Sequence, residues 1–561
     1  MRARLGYLRR FSSLPLPASA PLPHLLSLLS RCSTFGHIAQ AHAFMIARGL
    51  PGDNLLLAKF LHACSSLGFR GHALLAFDRA ERPDVYLLNT MIRCLCRTDS
   101  AEHAMALFNR IQGAGLRPDT YSFPSVLKAV AHLGMLELGR EVHGQITRFG
   151  LDADIHVSTA LVVMYSDCGE VTDARKLFDG FQLRDVVMWN AMTAGYVKVG
   201  DVDSARHVFE QMPKRNVVSW TTVIAGFADA TRSDEAITMF RRMQLEDGIE
   251  PDEVALLAVL SACANLGALD LGEWIHRFIG KRGLCKTIPL MNALIDMYAK
   301  SGNIHKALEV FEDMKQRSVV TWTTVIAGLA SHGLGFEALE LFHRMEREHV
   351  QPNDVTFLAV LSACSHLGLT DLGRWYFDRM HSRYMIKPGI QHYGCVIDLL
   401  GRAGCLREAR DLVRHMPFEP NGAIWGALLA AARSHGDAEL GELALRRLVE
   451  IEPHNSGNYI LLSNIYAAHE MWDDVARLRK MMKEKGVMNV PGASSIEVDG
   501  AVHEFTSRDG SHPYFDRIYG LLHEMSGHLK MIGYVPKHHS DVLDFEEGLT
   551  AEENVIVLQS M

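Results

Sequence analysis

The sequence predicts an all-α fold, an α-solenoid of stacked helix pairs, and three observations carry that prediction. The decapeptide VVSWTTVIAG at 217–226 returns as VVTWTTVIAG at 319–328, and a looser copy, VVMWNAMTAG, begins at Val186. Pro-Asp or Pro-Asn pairs ending at Asp119, Asp252 and Asn353 cut the chain into units much shorter than the 102 residues that separate the two close copies. Within the units a short apolar run leads to a Gly and then to a second run with Ala, Phe and Met at i, i+4 and i+7, which is one helical face. A single helix pair cannot bury such a stripe, so stacked neighbours must complete the core.

The units follow in order. Val85–Asp119 and Thr120–Asp154 have 35 residues each, Ile155–Asp185 and Val186–Asn216 have 31, and Val217–Asp252 has 36. Glu253–Thr287 has 35, Ile288–Ser318 has 31 and Val319–Asn353 has 35. The central Gly lies in KVGD, KSGN and SHGL, and reads as the turn between the two helices. The stripe is Ala205, Phe209 and Met212 in one unit, Ala236, Phe240 and Met243 in the next, then Ala307, Phe311 and Met314, and Ala338, Phe342 and Met345. These are core positions rather than a cofactor box. Two blocks, 423–455 and 456–487, again read as helix pairs. Beyond Pro491, SSIEV and AVHEF alternate about Asp499-Gly500, the pattern of two short strands joined by a two-residue hairpin turn.

Composition narrows the class. With 48% hydrophobic and 22% charged residues the chain is a folded protein. Its longest apolar stretches carry Ser, Asn and Gly and fall short of the roughly 20 clean residues of a membrane span. Ten cysteines without a repeated paired spacing do not form a disulfide framework; Cys32, Cys64, Cys263 and Cys364 recur at one place in the pattern and read as small buried residues. Arg2, Arg4, Arg9 and Arg10 accompany a Ser-containing, acid-free stretch that lasts until Asp53, the composition of an organelle-targeting peptide over residues 1–22. The RRFSS leader favours the mitochondrion, with the plastid as alternative. Pro491–Met561 holds 12 acidic and 4 basic residues, which accounts for the whole net charge of −8 and leaves 53 of each sign before it. RNA binding by so balanced a body must rest on base contacts more than on a phosphate-neutralising field.

Units of 31 to 36 residues that alternate in length, open on VVSWTTVIAG and close on Pro-Asp, resemble the pentatricopeptide repeats of plant organelle RNA-binding proteins, in the mixed-length subclass. Residues 121–150 and 259–283 resemble its long repeats, and VIDLLGRAGCL at 396–406 resembles its last short repeat. The resemblance runs from Pro23 to about Val535 and implies a right-handed α-solenoid. It divides the chain into a repeat array over 23–421, two extra helix-pair motifs of the E type over 422–490, and an acidic C-terminal extension over 491–561 that continues through SHP and GYVP.

Members of this subclass often end in a DYW-type cytidine deaminase, whose zinc site needs His-x-Glu and Cys-x-x-Cys. None of the 28 histidines has Glu two residues on, and no Cys-x-x-Cys occurs. His512, His523 and His528 in the extension read as surface histidines. No Gly-x-Ser-x-Gly, Walker loop or dinucleotide-binding Gly-x-Gly-x-x-Gly is present either. The expectation is a protein that is not an enzyme, with no catalytic residues, no metal and no cofactor. A gene model shortened at its 3′ end is the alternative account of the missing deaminase.

The resemblance further implies that one base is read per unit, by the fifth residue of the first helix together with the last residue of the unit. Carried over, Asn89 with Asp119 reads U, Thr159 with Asp185 reads G, and Asn190 with Asn216 reads a pyrimidine. Thr221 with Asp252 reads G, Asn292 with Ser318 a pyrimidine, and Thr323 with Asn353 reads A. Part of this has a physical basis: uracil and guanine offer imino N–H donors that an Asp carboxylate accepts, whereas adenine and cytosine offer ring acceptors that suit an Asn amide or Ser hydroxyl. Long repeats depart from the code, with Pro124, Leu257 and Leu358 at the fifth position, and Gly394 is silent. Asp, Asn and Ser before a helix are also ordinary N-caps, each worth roughly 1 kcal/mol, and both roles can hold at once. The implied partners are single-stranded organellar RNA, a DYW-type deaminase protein and other editing factors in trans, and no membrane. The function expected is selection of sites for organellar C-to-U RNA editing. The alternatives are an RNA stability or splicing factor of the same fold and a protein-binding helical-repeat scaffold, which should show a constant 34-residue period.

Overall fold

The computed structural model describes residues 29, 32–47, 53–96, 101–283, 287–487, 493–498, 501–506, 510 and 512–531. The leader over 1–22 and the acidic end beyond Met531 lie outside the described residues. The chain divides into two compact units, Met1–Ala255 and Leu256–Met561.

Helices begin where the unit boundaries place them, at Val85, Ile155, Val186, Val217, Glu253, Ile288 and Val319. The cause is local: the last residue of the preceding unit caps the helix. Asp84, Asp154, Asp185, Asn216, Thr287 and Ser318 each accept a backbone N–H of the first turn on a side-chain oxygen. Asp252 does the same for Ala255, at 2.9 Å. The unit opening at Thr120 differs, since its helix starts only at Ser122. Pro124 has no N–H to give to the carbonyl of Thr120, which removes the second bond of a helix opening there.

First helices run 13 residues at Ile155–Asp167, Val186–Lys198, Val217–Asp229, Ile288–Lys300 and Val319–Ser331. Second helices carry the length difference between units. In the 31-residue units they are Val171–Gly180, Val202–Glu210 and Ile304–Asp313, of 10, 9 and 10 residues. In the longer ones Leu136–Phe149, Ser233–Leu245, Leu269–Arg282 and Gly335–Arg347 have 13 or 14 residues. A short unit has lost about one helical turn. The Ala, Phe and Met stripe is buried throughout, but Met212 and Met314 follow the ends of their helices instead of lying within them. Pro213 disfavours helical backbone at Met212, and Met314 is itself extended.

Within Met1–Ala255, first helices pack against the first helices of neighbouring units, and each second helix leans on its own first helix and on the next one. The same pattern holds from Ile288 onward. The Gly that closes each decapeptide sits where first helices cross. A Cβ on Gly226 would stand 2.6 Å from Val197 Cγ2, and one on Gly328 would stand 2.9 Å from the Ala299 Cβ. Described turns between the two helices of a unit take a left-handed residue: Gly200, Gly302 and Gly333 have φ of 81°, 87° and 74°, but in the Val217 unit Thr231 holds that place at φ 60°.

Helix pairs continue with Gly422–His435 and Ala438–Ile451, then Ser456–Ala468 and Trp472–Glu484. Strands β1 (Ala493–Val498) and β2 (Ala501–Thr506) pair antiparallel with Val498 opposite Ala501. The turn residues Asp499 and Gly500 lie outside the described residues. Helix Phe515–Met531 ends the described part. No helix among the described residues is long and apolar enough to cross a membrane. Cys64, Cys263 and Cys364 are fully buried, whereas Cys32 is only half-buried. Burial pushes the Cys64 and Cys364 thiols up to about 12, so both are neutral packing groups.

Candidate functional site

Because the last residue of one unit caps the first helix of the next, and first helices pack side by side, that cap stands beside the fifth residue of the preceding helix. Three of the six expected pairs meet directly. Asn89 Nδ2 donates to Asp119 Oδ1 at 2.9 Å, Asn190 Nδ2 to Asn216 Oδ1 at 3.3 Å, and Thr221 Oγ1 to Asp252 Oδ1 at 3.0 Å. A fourth is relayed: Thr323 Oγ1 lies 2.7 Å from Thr356 Oγ1, which donates to Asn353 Oδ1 at 2.7 Å. Two pairs are not joined. Thr159 turns its hydroxyl back to the Ile155 carbonyl at 2.7 Å while Asp185 caps Met188. Ser318 is engaged with Thr321, and no bond links it to Asn292.

Capping and pairing use one and the same oxygen. Asp119 Oδ1 accepts from the Tyr121 and Ser122 amides as well as from Asn89, and Asp252 Oδ1 accepts from Ala255 as well as from Thr221. The second carboxylate oxygen of each stands outside these bonds. Asn89, Thr221 and Thr323 are buried, and the amide oxygens of Asn89, Asn190 and Asn292 are buried without a donor. A buried acceptor left unpaired costs about 1–3 kcal/mol.

The sequence reading missed the second residue of four first helices. Tyr86, Val187, Val218 and Val320 are large apolar side chains 47%, 61%, 54% and 56% exposed. Each lies three residues before a fifth-position residue, hence on the same helical face and next to it. The signal was present in the repeated Val-Val: the second Val lies off the buried stripe, where an apolar residue has no packing reason to recur. Pro124, Leu257 and Leu358 are half-buried at the fifth position of the long units, and a Cβ on Gly394 would touch only the Ile424 side chain, at 4.0 Å. Away from this row, His512 lies 3.0 Å from His503, and His523 and His528 are exposed on the last helix.

Stacked helix pairs, four of which set a polar pair beside an exposed apolar side chain, define a helical-repeat protein. The chain belongs to the pentatricopeptide repeat family. The PPR repeat model matches residues 187–217, 218–247, 290–319, 355–385 and 392–419, the PPR repeat family model matches 83–132 and 317–366, and the E motif model matches 435–497. The pentatricopeptide repeat-containing protein At5g56310 of Arabidopsis thaliana is 52% identical over 493 residues, covering 87% of this chain and 93% of that protein. Two further Arabidopsis relatives carry organelle names. At2g22410, mitochondrial, is 42% identical over 89% of this chain and 73% of its own length, and At1g08070, chloroplastic, is 39% identical over 77% and 54%. Among solved structures, the maize pentatricopeptide repeat protein PPR10 superposes with a TM-score of 0.50 at 15% identity, covering 87% of this chain and 89% of that one. That likeness concerns the fold.

Proposed function

We propose that this protein binds single-stranded organellar RNA base by base and selects sites for C-to-U editing, with a DYW-type deaminase and other editing factors recruited in trans. One observation carries the reading: the recurring polar pair of fifth and last residues, flanked by an exposed apolar side chain. A base edge needs hydrogen-bonding groups and a base face needs an apolar surface, and the two occur together in the four units that open at Val85, Val186, Val217 and Val319. The free oxygen of Asp119 or Asp252 accepts an imino N–H. The E motif supports an editing role over RNA stabilisation or splicing. The Arg-rich leader and the organelle names of relatives support import, into the mitochondrion first and the plastid as alternative.

With the family's polarity the target reads U, any base, G, pyrimidine, G, any base, pyrimidine, A, then two unread bases, shortly upstream of the edited cytidine. Comparing organellar transcripts with and without the protein tests this. A cytidine downstream of a matching sequence should lose editing; unchanged editing at every such site would remove the proposal.

A further inference from the structure

Three short units hold their last residue differently from the units that close on Pro-Asp or Pro-Asn, while the 35-residue units ending at Asp154 and Thr287 have Ala153 and Lys286 before it. Units ending at Asp119, Asp252 and Asn353 place a buried proline, Pro118, Pro251 or Pro352, immediately before it. Proline fixes φ and stiffens the segment that carries the terminal side chain. The three 31-residue units ending at Asp185, Asn216 and Ser318 have Arg184, Arg215 and Arg317 there instead.

All three arginines make the same contacts. Each guanidinium Nε donates to the carbonyl of the stripe phenylalanine, Arg184 to Phe178 at 2.8 Å, Arg215 to Phe209 at 3.4 Å and Arg317 to Phe311 at 3.0 Å. Each Nη2 donates to the next carbonyl, at Asp179, Glu210 or Glu312, at 3.1 to 3.2 Å. The fork thus caps two carbonyls at a helix C-terminus, the first of which also accepts a backbone N–H from three residues on, and a cation there is favoured by the helix dipole. Each guanidinium also lies over the ring of that phenylalanine, at 4.4, 4.7 and 4.5 Å from its centroid, and near a tryptophan of the following helix, Trp189, Trp220 or Trp322, at 5.5, 5.7 and 5.8 Å. The two rings meet edge to face with centroids 4.7 to 4.9 Å apart. That tryptophan is the fourth residue of the helix that the terminal residue caps. Arginine, phenylalanine and tryptophan therefore grip the segment from both sides of the terminal residue. The last short unit, which opens at Ile390, makes the contrast: Pro420 stands before Asn421, Val413 takes the phenylalanine's place in the sequence, and the fifth residue is Gly394.

We infer that Arg184, Arg215 and Arg317 are positioning residues for RNA recognition, each holding the terminal side chain of a short unit in place against the base without touching RNA itself. The inference rests on the base-reading proposal and deepens it. These three units lack the proline, and the arginine clamp supplies the rigidity that discrimination between bases needs.

The test uses the full-length chain and RNA oligonucleotides of the target sequence that differ only at the fourth nucleotide, which Asn190 and Asn216 read, or only at the fifth, which Thr221 and Asp252 read. Arg215→Ala, and Arg215→Lys, which keeps the charge but not the fork, should each lower pyrimidine-over-purine preference at the fourth nucleotide about tenfold. Preference at the fifth, held by Pro251, should stay as it was. Unchanged discrimination at the fourth nucleotide in both variants overturns the clamp, and so does an equal loss at both nucleotides in Arg215→Lys, which would mark the arginine as merely structural. A chain with no preference at the fourth nucleotide before substitution overturns the base reading there, and the clamp with it.

Discussion

The helices Val217–Asp229 and Val319–Ser331 begin with nearly the same ten residues and make different bonds. In the first, Trp220 Nε1 donates to Asp247 at 2.8 Å and Thr221 reaches Asp252 directly. In the second, Trp322 Nε1 is buried with no acceptor and Thr323 reaches Asn353 only through Thr356. Neither difference lies in the helix. Asp247 follows Trp220 by 27 residues, and the same spacing from Trp322 falls on His349. Ala255, the third residue after Asp252, has no hydroxyl to interpose, whereas Thr356 after Asn353 has one. The lesson is that a repeat's chemistry is completed by the loop behind it and by the first turn of the next unit.

The largest expected effect comes from exchanging the two terminal residues. Asp252→Asn should move preference at the fifth nucleotide from G towards A, and Asn353→Asp should move the eighth from A towards G, each by about tenfold or more. Binding to RNAs that differ at that nucleotide measures it, and unchanged preference in both would return these residues to capping alone. Next in size, Trp220→Phe should cost about 1–2 kcal/mol more than Trp322→Phe, because the first loses a charge-assisted hydrogen bond and the second relieves an orphaned donor. Urea unfolding midpoints compare them, and equal losses would break the distinction. The smallest effect lies in the turns. Thr231→Gly should stabilise the chain by about 1 kcal/mol and Gly333→Ala should destabilise it by about as much, since both positions are left-handed. Shifts of the opposite sign in thermal midpoint would refute the strain at Thr231.

Much of this was readable in advance, and for a local reason. Asp84, Asp154 and Asn216 announce helix starts because a cap and the amides it serves lie within one turn. Phe209, Phe240, Phe311 and Phe342 announce the core because helical periodicity is a property of seven or eight adjacent residues. Less readable were the delayed start at Ser122 and the early helix end before Met212, where single prolines override the pattern. The exposed Val187, Val218 and Val320 were written plainly in the repeat but had meaning only once the buried face was known.

By itself, then, the amino-acid sequence determined the unit lengths, the helix pairs and the buried stripe, since each depends on residues near one another in the chain, and the family resemblance implied the six pairs proposed to face RNA. Tertiary structure alone decided which of those six pairs are joined. Asn89 and Asp119 are 30 residues apart, Thr221 and Asp252 are 31, and Thr323 and Thr356 are 33. Whether such distant groups bond depends on how neighbouring helices pack and which way each hydroxyl turns, as Thr159 shows by turning to its own helix. Those choices are made between units, and no single unit's sequence contains them.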